Sequence, residues 1–275
     1  MAALPAFFPV AALAQDNTIA MEDSVFARDH LTVGVGAVYS ASYDGSDDYV
    51  LSPIPIVQGN LKGIAITPRP GGVALDLIPD DMRKRVAFSL GPVATLSRNR
   101  ASQIKDPVVR SAGKLKTAID VGASGGVTLN RVLHGFDSLT LSADAKWDVN
   151  SAHSGQTISP TLTYFTPLSR AAVVSLSVSA RHVDDDYADY YYSVSPAQNL
   201  ASGLPLYQAD GGWESWSVGM LAGYDLNGNA LDGGLALIAL GSYSRMINDA
   251  SRTPYTSLRG DADQWTVAFG VGYTF

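Results

Sequence analysis

The sequence predicts an all-β protein, a transmembrane antiparallel up-and-down β-barrel of about 12 strands. Three observations lead there: long runs of alternation, connections that are short on one side and long on the other, and no helix-length apolar run. The alternation is plainest at 264–275, where Trp265, Val267, Phe269, Val271, Tyr273 and Phe275 interleave with Gln264, Thr266, Ala268, Gly270, Gly272 and Thr274. Successive side chains of a strand point to opposite faces, so such a segment separates an apolar environment from a polar one. Its bulky set is aromatic at both ends, as bilayer interfaces favour. Hydrophobic residues make up 46% of the chain and charged ones 16%, yet nothing after the N-terminus approaches the roughly 20 continuous apolar residues of a spanning helix.

Residues 1–14 are small and apolar and end in Ala12-Leu13-Ala14 before Gln15-Asp16. They read as the later part of a secretory signal peptide cleaved after Ala14, with the positively charged n-region missing from its start. Pro5 and Pro9 oppose the alternative of a short buried helix. A periplasmic segment, 15–30, then leads into a barrel over 31–275. In 138–149 the odd residues Leu139, Leu141, Ala143, Ala145, Trp147 and Val149 oppose Ser138, Thr140, Ser142, Asp144, Lys146 and Asp148. No soluble core accepts that many charges on one strand face. Residues 215–226 repeat the separation, with Trp216, Val218, Met220 and Tyr224 on the apolar side, and 31–40, 85–97, 117–130, 156–167 and 171–183 show it less cleanly. The segment 231–246 is apolar on both faces, which leaves its outward side open.

Membrane strands need about 9–11 residues, against about 5–6 in soluble sheets, and most of these runs meet the longer figure. Two weaker runs, 63–67 and 73–78, flank Pro68-Arg69-Pro70-Gly71-Gly72 and reach spanning length only with their turn flanks. Connections supply an independent check, since these barrels put short turns on the periplasmic side and longer loops outside. Counting back from Phe275, outer loops fall at 247–261, 184–213, 150–155, 98–116, 68–71 and 42–48. Inner turns fall near 227–230, 168–170, 131–135, 79–84 and 60–61. The strand count is twelve if 187–195 is an extension inside the large outer loop; ten and fourteen stay open.

Thr32-Val33-Gly34-Val35-Gly36-Ala37, Tyr43-Asp44-Gly45-Ser46-Asp47-Asp48-Tyr49 and Pro53-Ile54-Pro55 stand near the start. Ser193-Val194-Ser195-Pro196-Ala197-Gln198, Ser202-Gly203-Leu204-Pro205-Leu206-Tyr207, Ser242-Tyr243-Ser244-Arg245-Met246 with Asp249-Ala250, and the ending from Gly270 to Phe275 follow. In these blocks the chain resembles the MipA/OmpV family, that of the MltA-interacting protein, over nearly its whole mature length; 98–160 is less diagnostic. The resemblance implies a barrel in the Gram-negative cell outer membrane and a scaffold joining a lytic murein transglycosylase to a murein synthase. Other members are described as porin-like proteins or adhesins, so a small porin-like channel or surface adhesin is the alternative. The family offers no catalytic residues to transfer. The closing strand, with Phe269, Tyr273 and Phe275, looks like the signal read by the barrel assembly machinery.

Candidate sites are few. The absence of cysteine excludes disulfides and thiolate metal sites, and a net charge of −7 argues against nucleic acid. Gly122-Ala123-Ser124-Gly125-Gly126 spells G-x-S-x-G, but that motif needs a sharp strand-to-helix turn, and Ser124 falls inside an alternating strand as a small lumen-facing residue. His153-Ser154 lies in a predicted loop without an acidic orienter beside it and reads as surface polarity. His30, His134, His153 and His182 show no metal-ligand spacing. Asp44-Gly45-Ser46-Asp47-Asp48 lacks the ligand register of a calcium loop and reads as an outer turn. No catalytic, cofactor or metal residue is therefore expected, and the chain is read as non-enzymatic.

Charge segregates between outer loops. Residues 98–116 carry Arg98, Arg100, Lys105, Arg110, Lys114 and Lys116, while 184–189 carries Asp184, Asp185, Asp186 and Asp189. Opposed patches could pair across the mouth, narrowing or gating it, but two solvated loops are the favoured expectation, the basic one meeting lipopolysaccharide phosphates among the outer-membrane lipids, because exposed pairs contribute only about 0–1 kcal/mol each. Asp120, Asp144, Lys146, Asp148, Arg181 and Asp225 are expected to face the lumen, since a basic group at the bilayer midplane costs about 2–4 kcal/mol. The inner turns are short, so a periplasmic partner has mainly 15–30 and turns such as 79–84 to hold.

Overall fold

The structure, a computed structural model, describes residues 24–79 and 84–275. The expected signal peptide and most of the segment after it lie outside these residues. Twelve antiparallel strands close on themselves in chain order: β1 (His30–Ala41), β2 (Tyr49–Leu61), β3 (Ile64–Arg69), β4 (Gly72–Asp76), β5 (Val86–Ser97), β6 (Ala118–Asn130), β7 (Ser138–Asp148), β8 (Gln156–Pro167), β9 (Ala172–Val183), β10 (Gly212–Asp225), β11 (Gly234–Met246) and β12 (Asp263–Thr274). The ring shuts where β1 meets β12, in register from Thr32↔Thr274 to Tyr39↔Val267. Closure gives the backbone groups of these strands partners within the wall over most of its circumference, the condition a lipid environment imposes on a spanning sheet.

Outward positions carry the large apolar side chains: Val35, Leu51, Phe88, Leu141, Val178, Met220 and Phe269 are all more than half exposed. Rings gather near both rims. Toward the outer one, Trp216 packs on Tyr243 (5.5 Å between centroids), Tyr243 on Trp265 (5.0 Å), and Tyr39 stacks on Tyr49. Tyr224, Tyr273 and Phe275 lie exposed toward the inner one. The ambiguous strand resolves as β11. Its odd residues, Leu235 and Leu237, face outward, while Ile238 lies over Gly272 inside. It reads apolar on both faces because part of the lumen wall is itself apolar.

The long connections all lie at one end and contain α1 (Pro107–Ser111), α2 (Asp185–Tyr192), α3 (Pro196–Ser202), α4 (Asn248–Arg252) and α5 (Pro254–Ser257). Residues 187–195 are therefore largely helical; Asp184 caps α2 by accepting the Tyr187 N–H at 3.0 Å. The two weak runs remain short. They form the β3–β4 hairpin, which turns back at Pro70-Gly71 level with Leu96 near the outer end of β5, but well short of the outer end of β2.

Candidate functional site: lumen, outer cap and inner face

Inward charges concentrate in the outer half of the lumen. Arg69, near the tip of the short hairpin, donates to Asp144 from Nε at 2.8 Å and to the Ser124 hydroxyl from Nη2 at 3.2 Å. One guanidinium thus ties β3 to the inner faces of β6 and β7. Lys146 donates to Thr95 on β5 at 3.2 Å. Arg181 bridges Glu214 at 2.5 Å and Asp44 at 3.2 Å. Glu214 is inward because the β9–β10 register shifts between Trp213 and Ser215, and such a bulge re-aims the extra side chain. Asp148 and Asp225 sit at opposite rims. The first accepts the N–H groups of Asn150, Ala152, His153 and Ser154, the second those of Asn227, Gly228 and Asn229. Lower in the lumen, inward-facing Leu221 keeps 41% of its surface exposed.

His153 is not surface polarity: it is buried, with Nε2 2.9 Å from Asp120 Oδ1. Gly155 N–H donates to Nδ1, which leaves Nε2 to carry the proton toward Asp120. The acidic partner, 33 positions away in the chain, is brought in by the β6–β7 register, which sets Asp120 opposite Asp148 where the chain enters the His153 loop. With both ring nitrogens taken and Tyr187 packed edge-on at 4.8 Å, the imidazole is a structural post. Ser124 lies in mid-strand, as its alternation predicts. Among the described residues no group of three His, Cys, Asp or Glu is placed to hold a metal ion.

Nor are the charged outer loops two solvated ones. Arg100 of the 98–117 loop is 1% exposed, lies 3.6 Å over the Tyr255 ring and donates to the Tyr191 carbonyl at 2.9 Å. Tyr255 comes from the 247–262 loop and Tyr191 from 184–211, so connections from opposite walls meet in one buried centre. Tyr43 adds its hydroxyl to the Tyr255 carbonyl, and Thr253 its own to the Tyr192 carbonyl. Arg259 clamps Asp106, the N-cap of α1; against the cost of desolvation, these hydrogen bonds hold the Asp106 carboxyl below its usual value. Burial pulls the Arg100 guanidinium below the usual arginine value and pushes the Tyr191 hydroxyl up. Two of the acidic residues hold backbone of other segments: Asp184 takes Gln156 N–H and Asp185 takes Gly211 N–H. The outer mouth is a packed cap.

The inner face is built of pinned turns. In 131–137 the Asp137 carboxylate accepts the N–H groups of Val132, Leu133 and His134 and the Tyr164 hydroxyl. Although desolvation opposes it, these donors bring the carboxyl down to about 2. The turn then projects Leu133, 78% exposed, and Phe136. Val25 N–H donates to the Leu231 carbonyl, which fastens the chain before β1 to the β10–β11 turn. Sequence reasoning missed Arg69, Arg100, Asp137 and Glu214. Each lies in a turn or at a strand end, where no periodicity assigns a direction.

Residues 33–275 match the family model described as MltA-interacting protein MipA. No curated protein matches the chain. Among solved structures, an outer membrane channel from Pseudomonas putida F1 is similar at 11% identity, covering 90% of this chain and 95% of that one with a TM-score of 0.48. An anion-selective porin from Comamonas acidovorans is similar at 10% identity, covering 90% and 99%, with a TM-score of 0.40. The outer membrane protein OprD from Pseudomonas aeruginosa is similar at 14% identity, covering 89% of this chain but only 65% of that one, with a TM-score of 0.35.

Proposed function

On the premise that the chain belongs to the MltA-interacting protein MipA family, we propose that it is a Gram-negative outer-membrane barrel, without enzymatic activity, that holds murein-remodelling enzymes at its inner face. The partners in this reading are a lytic murein transglycosylase and a murein synthase. The observation that supports it best is the packed cap, in which loops from opposite walls join around Arg100 and Tyr255 across the outer mouth. The inner face, by contrast, presents turns already ordered before a partner arrives. Preorganisation lowers the entropic cost of docking, so even short turns suffice. Leu133 and Phe136 on the Asp137-braced turn are the apolar anchors we assign to that contact. Insertion by the barrel assembly machinery and contact of the outer loops with lipopolysaccharide belong to the same reading.

The full-length barrel in detergent, used as bait in a periplasmic extract, is expected to retain murein enzymes identifiable by mass spectrometry, and Leu133→Asp with Phe136→Ser to lose them. Retention of none by the unmodified barrel overturns the scaffold. The polar and charged side chains facing the lumen, among them Asp144, Lys146 and Arg181, favour the second reading, a small channel. Steady open-pore conductance in planar bilayers supports that reading, whereas a capped scaffold stays electrically quiet.

A further inference from the structure

Long strands pair with their neighbours nearly throughout, but between β2 and β3 pairing stops after Leu61↔Ile64, Asn60↔Ala65 and Gly59↔Ile66. β2 continues to Tyr49, matched to β1 along its length, while β3 turns back at Arg69 into β4. Residues 50–58 thus have no strand paired to them on that side, β3 running alongside only as far as Arg69, and the wall carries a notch below the rim marked by the Tyr39–Tyr49 stack. The direction of the bare edge follows from the turn. Lys62 (φ 54°) and Gly63 (φ 79°) form a two-residue turn of the primed type, which makes Leu61 and Ile64 a hydrogen-bonded pair. Counting back by twos, the odd residues of β2 aim their N–H and C=O groups into the notch. Tyr49 confirms the phase, since its carbonyl accepts from Lys105 Nζ at 2.5 Å. Pro53 and Pro55 fall in the same phase and have no N–H to leave bare.

Those prolines oppose a partner strand, which would find two donors missing. They suit hydrocarbon, in which an unpaired N–H is costly. The surroundings are apolar on both faces. Leu51 is 68% exposed outside, and Ile54 and Ile56 face inward. Ile56 lies so close over Gly270 that a Cβ there would sit 2.7 Å from its Cδ1, so the apolar surface runs from the notch into the lumen. Above the notch the 98–117 loop arches toward β2. Exposed Lys105 and Arg110 share a depression there with Val50, Leu51 and Ile104. Cations above an apolar cleft complement an amphiphile whose acidic head lies at the membrane surface and whose tail runs downward.

We propose that the notch is a lateral lipid site that takes one acyl chain of an anionic, phosphate-bearing lipid of the surrounding leaflet, with the head on Lys105 and Arg110. This rests on the membrane-barrel reading above. The chain has no cysteine, so single cysteines report single positions. The full chain is refolded into vesicles of phosphatidylglycerol brominated on its acyl chains, with a fluorophore on Leu141→Cys (outward, sealed wall), Thr161→Cys (inward, far wall) or Ile56→Cys; Ile54→Cys replaces the last if it fails to refold. The label at position 56 is expected to be quenched as strongly as at 141, and that at 161 to keep its emission. Brominated phosphatidylcholine, or Lys105→Gln with Arg110→Gln, should weaken quenching at 56 and leave 141 unchanged. Emission retained at 56 with 141 quenched overturns the lipid site alone; emission retained at 141 overturns the membrane reading beneath it. Equal quenching at 56 by both lipids overturns the proposal, as does an oxidised dimer of Pro55→Cys, the mark of a second copy seated on the edge.

Discussion

Asp137 shows how one carboxylate stands in for a longer structure. Its acceptors satisfy backbone N–H groups that the tight turn 131–137 cannot pair internally. Because the carboxyl is lowered from 3.8 to about 2 in the folded chain, its stabilisation is complete above pH 4 and is lost as pH falls through the folded value. Carboxyl NMR is expected to place the Asp137 midpoint near 2, and Asp137→Asn to remove amide protection at Val132, Leu133 and His134 at neutral pH. Arg100 supplies the cap with a desolvated cation over a ring, an interaction of about 2 kcal/mol. Arg100→Ala should cost at least that amount, about 2 kcal/mol, and admit protease to the 98–117 and 184–211 loops while the strands stay intact. Unchanged digestion would count against Arg100 as the centre of the cap. Neither role is legible in the sequence, where Asp137 follows a predicted turn and Arg100 is one basic residue among several.

At the scale of the element, alternation is a reliable guide because a strand offers only two faces. β7 keeps Leu141 outside and Asp144 inside, in register with β6 and β8. Ala143 is outward near mid-strand, so Ala143→Arg should cost about 2–4 kcal/mol in urea unfolding from lipid vesicles, and Ser142→Arg, which faces a polar lumen, distinctly less. Equal destabilisation would overturn the register. β2 carries a second signal that alternation does not capture, the pair Pro53 and Pro55. Pro55→Val should restore an edge donor and raise the fraction of chains that associate during folding, read by cross-linking; a purely monomeric variant would remove the negative role assigned to proline. The bulge at Glu214 has no such signature, since it depends on how β9 and β10 meet.

For the whole molecule, closure of the sheet and closure of the outer mouth are different events. The first arises from strand pairing in chain order; the second from loops 98–117, 184–211 and 247–262 packing on one another. A closed ring of strands of this kind is expected to run on SDS gels as a compact band until heated and to fractionate with the outer membrane. Recovery as a soluble periplasmic protein would overturn the location proposed for it. The cap is expected to keep the barrel electrically quiet, and Arg100→Ala to introduce conductance if the loops are what closes it.

By itself the sequence determined the all-β class, a strand number of about twelve that the closed sheet then settled, the inward and outward sides of most strands and which connections are long, because each depends on local periodicity or chain length. Only the tertiary structure decided that the basic and acidic loops join in one cap, that His153 is buried against Asp120, that Arg69 spans to Asp144, and that β2 is left without a partner over 50–58. Those are meetings between residues far apart in the chain. The curvature and stagger of the closed sheet set them, and no local pattern encodes which distant side chain will stand opposite.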